Sequence, residues 1–265
     1  MTILDEIIAR TREDLEISRL RVPEAQLREQ ALAVEVAYDF AAALRARPGL
    51  PPRIISELKK ASPSKGLIRA DFGVVTLARE LDRCGAAALS VLTEPRYFKG
   101  SPEYLRAAVG NVSIPVLRKD FVVDPYQIYE ARAWGASAVL LIAAALPPPE
   151  FRALLRLATE LGLAVLSEVH TQEELHWVLD AGAQIIGVNS RDLRTFQTSL
   201  ETTLDLIAAI PQDRIGVAES AIRTADDIRQ LQVAGAQAFL IGETLMRAEH
   251  PGDKLKELLG NPSGK

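Results

Sequence analysis

Apolar positions in this chain follow two periods. Short runs rich in β-branched and leucine side chains, such as "RIISEL", "AALSVL", "AVLLIA" and "IIGV", read as buried strands. Between them lie stretches with apolar residues at helical spacing, such as "PPEFRALLRLATELG", "TQEELHWVLDAG" and "TADDIRQLQVAG". Four segments repeat one plan: "DRCGAAALSVLTE", "ARAWGASAVLLIAA", "VLDAGAQIIGVNS" and "QVAGAQAFLIGE" each run from a helix end through Gly-Ala into a strand. Gly85, Gly135, Gly182 and Gly235 are therefore expected as helix C-caps, where a left-handed backbone costs glycine little.

This punctuation places strands near 53–59, 87–93, 115–119, 137–143, 163–168, 184–189, 214–219 and 238–242. Strands alternating with helices define an α/β chain with a parallel sheet covered on both faces. Eight such units predict closure into a (β/α)8 TIM barrel over residues 51–265, with an open doubly wound sheet as the alternative. The first fifty residues stand outside the alternation. Their pattern predicts helices at 3–19, 23–33 and 38–46, an N-terminal helical extension (1–50) packed on the barrel.

Composition narrows the function classes. Of 265 residues, 48% are hydrophobic, enough for a large core, and 31 Lys and Arg against 35 Asp and Glu give a net charge of -4. That balance gives no sign of a nucleic-acid surface, although a locally basic pocket for a phosphorylated small molecule remains compatible with it. A single cysteine, Cys84, excludes an internal disulfide and fits a reducing, cytoplasmic setting. The opening "MTILDEIIARTREDLE" carries acids throughout and does not read as a secretory signal. No apolar stretch reaches the length of a membrane span, so no membrane partner is expected.

The strand ends are where chemistry collects. In "RIISELKK" a period of two puts Ile55, Glu57 and Lys59 on one face of the strand, with both charges at its C-terminal end. A solvated edge strand would also look like this. Other strand ends repeat the feature: Lys119 and Asp120 in "LRKDF", Glu168 in "LSEV", Asn189 and Arg191 in "GVNSRDL", Glu219 and Ser220 in "VAES", Gly242 and Glu243 in "LIGE". In a barrel this rim is the catalytic face. An internal ion-pair network is the structural alternative; two lysines with two carboxylates in one pocket also suit proton transfer, because each shifts the others' pKa.

These segments carry a resemblance as well. "ISELKKASPSKG", "VLTEPRYFKGS", "LRKDFVVDPYQIYEARAWGA", "LSEVHTQEEL", "IGVNSRDLRTF", "VAESAI" and "LIGETLM" resemble, in order and over about residues 50 to 250, the successive motifs of the indole-3-glycerol phosphate synthase family. The resemblance implies a cofactor-free carboxy-lyase of tryptophan biosynthesis. Its substrate would be 1-(2-carboxyphenylamino)-1-deoxyribulose 5-phosphate, and its products indole-3-glycerol phosphate, CO2 and water. Residue by residue, it implies Lys119 as general acid for ring closure, Glu168 and Lys59 in the later proton transfers, and Glu57 and Asn189 as polar partners. Ser62 and Arg191 would hold the substrate carboxylate, and Phe98 and Phe121 would wall the aromatic ring. Glu219 would also face the substrate, while Ser220, Ala221, Gly242 and Glu243 would meet the phosphate, Glu243 through its backbone N–H. One position departs from the family: Ala221 stands where glycine is usual, and its Cβ is expected to crowd the phosphate or to cost energy if φ is positive.

The basic loop "SPSKGLIRADF" reads either as a lid or as an ordinary loop after the first strand. His170 and His176 lack the i, i+4 spacing of paired ligands on a helix, so no metal site is expected. No glycine-rich nucleotide loop follows the first strand, and no cofactor is expected. Cys84 reads as packing at a helix end. Two other functions fit the residues alone: a Schiff-base aldolase using Lys59 or Lys119, and a sugar-phosphate binding protein without turnover. The oligomeric state stays open between a monomer and a weak dimer.

Overall fold

The computed structural model describes residues 2–35, 38–47, 49–189 and 200–260. Three helices come first: α1 (Ile3–Arg21), α2 (Glu24–Ala33) and α3 (Phe40–Leu44). The strands that follow are β1 (Arg53–Leu58), β2 (Ala88–Leu92), β3 (Val116–Lys119), β4 (Ala138–Ile142), β5 (Ala164–Val169), β6 (Ile185–Val188), β7 (Ile215–Ala218) and β8 (Ala238–Ile241). They form a closed parallel barrel in which each strand pairs with its neighbours in chain order. β8 returns to β1 with Ala238 opposite Arg53 and Ile241 opposite Ser56, which rules out the open sheet and the edge-strand reading of β1.

Alternation along the strands makes two cores. Ile54, Leu58, Leu89, Val139, Ile186 and Phe239 belong to the layer beneath the helices. Ile55, Leu117, Leu140, Leu166, Val217 and Leu240 fill the barrel interior. Glu57 and Lys59 continue the Ile55 face, so the period of two carries both charges toward the interior at the barrel's C-terminal end.

The outer helices are α4 (Val74–Arg83), α5 (Pro102–Val109), α6 (Pro125–Ala133), α7 (Pro148–Glu160), α8 (Gln172–Asp180), α9 (Leu200–Ala208), α10 (Ala225–Ala234), α11 (Glu243–Arg247) and α12 (Pro251–Leu258). Local chemistry starts several of them within a few residues of a strand end. The side chains of Ser101, Asp124, Thr171 and Thr224 accept first-turn N–H groups, and proline opens α5 and α6. The four glycines expected at C-caps all have positive φ, from 82° to 114°.

The N-terminal helices treat the two ends of the barrel differently. Phe40 and Leu44 of α3 are fully buried in the interior cluster with Ile55, Ala88 and Leu117. The Arg53 guanidinium, at the start of β1, donates to the Ala43 carbonyl at 2.7 Å, so α3 plugs the N-terminal end. Helix α1 instead reaches the C-terminal mouth. An Arg96–Asp14 ion pair at 2.6 Å and a 2.8 Å hydrogen bond from the Tyr97 hydroxyl to Glu6 tie it to the loop after β2. Between them, the Tyr126 hydroxyl of α6 donates to the carbonyls of Ser18 and Val22. No helix among the described residues is long and apolar enough to cross a membrane.

Candidate active site

A cavity of about 570 Å³ opens at the C-terminal ends of the strands. Its floor is charged. From β1, Glu57 is buried and its carboxylate lies 2.5 Å from the Lys59 ammonium. From β3, Lys119 Nζ donates to Glu168 Oε2 of β5 at 3.2 Å and lies 3.7 Å from Glu219 Oε2, just past β7. From β6, the Asn189 amide donates to Glu168 Oε1 at 3.2 Å, and the Ser220 hydroxyl donates to Asn189 Oδ1 at 2.6 Å. Both oxygens of Glu168 are thereby held by different partners.

The electrostatics follow from burial and these distances. Burial alone would push the Lys119 ammonium to give up its proton, but Glu168, Glu219 and Glu57 outweigh it and raise its pKa. Burial likewise opposes a charged Glu168, and Lys119, His170 and Asn189 overcome it, holding this carboxyl well below its ordinary range. Glu219 goes the other way: burial first, then the neighbouring Glu168 charge, raise it well above the usual carboxylate value. The floor therefore gathers Lys59 and Lys119 with three carboxyls, of which Glu168 is driven toward the ionised form and Glu219 toward the protonated one. A structural ion-pair network has no need of a cavity above it; this one faces 570 Å³ of space.

Steric room around the floor depends on two glycines. A Cβ at Gly242 would collide with the Glu57 carboxylate, and one at Gly187 with that of Glu219. Both acids therefore lie against bare backbone of the neighbouring strands, which brings them close to the barrel axis.

The rim places the remaining candidates. Phe98 and Phe121 face each other across 6.0 Å between ring centroids and line one side of the cavity. The Glu94 carboxylate organises the loop carrying Phe98, accepting the backbone N–H groups of Arg96, Tyr97 and Phe98. Ser62 also lines the cavity, in a short hairpin where Ala61–Ser62 pairs with Gly66–Leu67. Beyond that hairpin, the Arg69 guanidinium donates to the carbonyls of Met246 and Ala248, fastening the loop after β1 to the segment after β8. Ser220, Ala221, Gly242 and Glu243 line the end of the cavity at β7 and β8. Glu243 Oε1 accepts from Arg247 at 2.9 Å, which leaves its carboxylate engaged on its own helix. Ala221 does have a positive φ, 64°, the conformation that glycine adopts at least cost. Arg191 lies outside the described residues.

Two groups of residues lining the cavity, and one residue behind it, were not among the site residues expected from sequence. Ile3, Leu4 and Ile7 of α1 form part of its wall; their helical spacing was visible, but not the surface they would face. Lys65, Arg223 and Lys254 add basic side chains at the rim. Lys254 comes from α12, and nothing local in the sequence connects it to the strand ends. His170 does not line the cavity but lies behind Glu168, with Nε2 3.4 Å from Glu168 Oε1.

Fold and site together define a (β/α)8 barrel with a charged cavity at the C-terminal ends of its strands. The family model for indole-3-glycerol phosphate synthase matches residues 4–258. The chain is 49% identical over 257 residues to the indole-3-glycerol phosphate synthase of Chromobacterium violaceum, covering 97% of each, and 47% identical over 259 residues to that of a Polaromonas species, covering 97% of this chain and 98% of the relative. The chain belongs to the indole-3-glycerol phosphate synthase family, the decarboxylating lyases of tryptophan biosynthesis that its motifs resemble. Among solved structures it is similar to a 3-hexulose-6-phosphate synthase, with a TM-score of 0.64 at 14% identity over 80% of this chain and 100% of that one. A thiamine phosphate pyrophosphorylase from Pyrococcus furiosus matches with a TM-score of 0.59 at 17% identity, over 78% of this chain and 93% of that one. At such identities these two likenesses concern the barrel alone.

Proposed function

We propose that this chain carries out the family's reaction on 1-(2-carboxyphenylamino)-1-deoxyribulose 5-phosphate with Lys119 as the general acid of ring closure. The observation that supports this most is the enclosure of Lys119 by Glu168 and Glu219 on the floor of the cavity. The ring carbon bearing the carboxylate attacks the ribulose carbonyl, and the carbonyl oxygen becomes a strongly basic alkoxide. A firmly held ammonium matches that acceptor and remains protonated until the alkoxide forms. Loss of CO2 then returns its bonding electrons to the ring and restores aromaticity. Dehydration follows: the new hydroxyl leaves with a proton, and a base removes a proton from the adjacent carbon. Glu168 and Lys59 take these two transfers in this reading, with Glu57 holding Lys59 and Asn189 holding Glu168.

Ser62 and Arg191 take the substrate carboxylate in this reading, and Phe98 with Phe121 receives its aromatic ring. The phosphate meets backbone N–H groups of Ser220, Ala221, Gly242 and Glu243, a recurrent place for phosphate on barrels. Lys65, Arg223 and Lys254 add positive charge around the cavity. The protein works in the cytoplasm as a monomer or weak dimer, without nucleic-acid or membrane partners.

The test is incubation of the purified protein with this substrate under chelator, following indole fluorescence and CO2 release, with parallel borohydride trapping. Equimolar indole product and CO2 with no labelled lysine is expected. Saturable binding without product would overturn the reading in favour of a binding protein, and a borohydride-labelled lysine would favour a Schiff-base enzyme.

A further inference from the structure

Behind the catalytic floor lies a histidine that the reaction as described leaves unused. His170 follows β5 by one residue, and its side chain is only 13% exposed. Its Nε2 lies 3.4 Å from Glu168 Oε1, the oxygen that also takes the Asn189 amide, and its Nδ1 lies 3.6 Å from Glu174 Oε2. Neither contact has hydrogen-bond geometry, so each draws its strength from charge when the imidazole is protonated. Glu174 is itself fixed: its carboxylate accepts the His170 backbone N–H at 2.6 Å, and its own N–H donates to the Thr171 hydroxyl that caps α8. The result is a line running from the start of α8 to the cavity: Glu174, His170, Glu168, Lys119.

We propose that His170 is a positioning residue for Glu168. It pulls Oε1 away from the cavity and, as an imidazolium braced by Glu174, leaves Oε2 aimed at Lys119 and the substrate. The inference rests on the reading of Glu168 as a proton-transfer group. Asn189 alone could hold Oε1 by a neutral hydrogen bond; a cation beside it additionally favours the ionised carboxylate. Among the described residues, the charged groups facing the ring are Glu168 on β5, Glu174 on α8 and, beyond Glu168, Lys119 on β3. Burial opposes charge on the imidazole, but the two carboxylates outweigh it and raise His170 above its ordinary pKa.

The sequence offers its own control in His176, which is 83% exposed on α8 and lies 3.7 Å from Asp180. In His170→Asn we expect kcat to fall roughly tenfold, with KM nearly unchanged, because an interaction that supports the reacting group rather than ground-state binding is lost. The acid limb of the kcat profile should move up by about one pH unit, since Glu168 loses a neighbouring cation. His176→Asn should match wild type in both. Independently of turnover, an NMR titration of His170 should give a lower pKa in Glu168→Gln and in Glu174→Gln than in wild type. A fall in kcat with an unmoved acid limb, or a His170 titration unchanged by both substitutions, would overturn the proposal. A wild type without turnover would sink the synthase reading instead, and the NMR titration would then decide the His170 contact alone.

Discussion

Glu168 and Glu219 are both buried, at the ends of two strands separated by β6, beside one lysine, yet their environments drive them apart. Lys119 lies closer to Glu168, 3.2 Å against 3.7 Å, and Glu168 has the Asn189 amide and His170 as well. Burial of the second carboxyl, and then the charge of the first, raise its pKa well above the usual carboxylate value. Glutamine mimics a protonated glutamate, so the two substitutions should differ. Glu168→Gln is expected to lower kcat by roughly 10²–10⁴, the usual worth of a general acid or base, and Glu219→Gln by less than about tenfold. The stability signs are also opposite. The depressed Glu168 contributes stability that is present above its unfolded pKa, about 4.3, and lost as pH falls toward its folded value. The raised Glu219 contributes stability that is present below its unfolded pKa and lost as pH rises through its folded value. The Tm of Glu219→Gln relative to wild type should therefore climb between pH 5 and pH 8. An equal loss of kcat in both variants, or a Tm difference that falls with pH, would contradict this assignment.

The barrel strands were legible in the sequence because each is a short buried apolar run, four of them entered through Gly-Ala and most of them leading into polar residues; observed and expected limits agree within two residues. The charged end of the barrel was legible for a related reason, since a period of two fixes which residues share a side. Contacts between distant segments were not. The period of α1 predicts a helix but does not say that Ile3 and Ile7 wall the cavity, and the two-residue pairing within the loop after β1 is too short to leave a pattern. His170 drew attention only as a possible metal ligand, because its use depends on a carboxylate at its back. Ala221 shows where an element departs from its own best geometry. A left-handed alanine costs roughly 1–2 kcal/mol, while glycine gives back about 0.4–1 kcal/mol through the unfolded chain. Ala221→Gly is accordingly expected to be stabilising by up to about 1 kcal/mol, or about 2–4 °C in Tm, and to lower KM for the phosphorylated substrate. A lower Tm with a higher KM would show that the loop after β7 is adapted to the methyl group.

The molecule as a whole divides its labour by end. The C-terminal mouth gathers the charged floor, the aromatic wall and the contacts of α1, while the N-terminal end is closed by the apolar plug of α3. Conserving this division requires that the two ends be separable by substitution. Phe40→Ala should cost about 3–5 kcal/mol, as large-to-small changes in a packed core do, yet leave kcat of the folded enzyme within about twofold. A large fall in kcat at temperatures where the variant remains folded would mean that the plug also shapes the floor above it.

The most direct test of the central claim is steady-state indole formation by Lys119→Met, which keeps the length of the side chain and removes its charge and proton. A fall in kcat of at least roughly 10²-fold is expected, with substrate still bound within a few-fold of the wild-type affinity. Retention of most of the wild-type kcat would contradict it and move the acid of ring closure to Lys59.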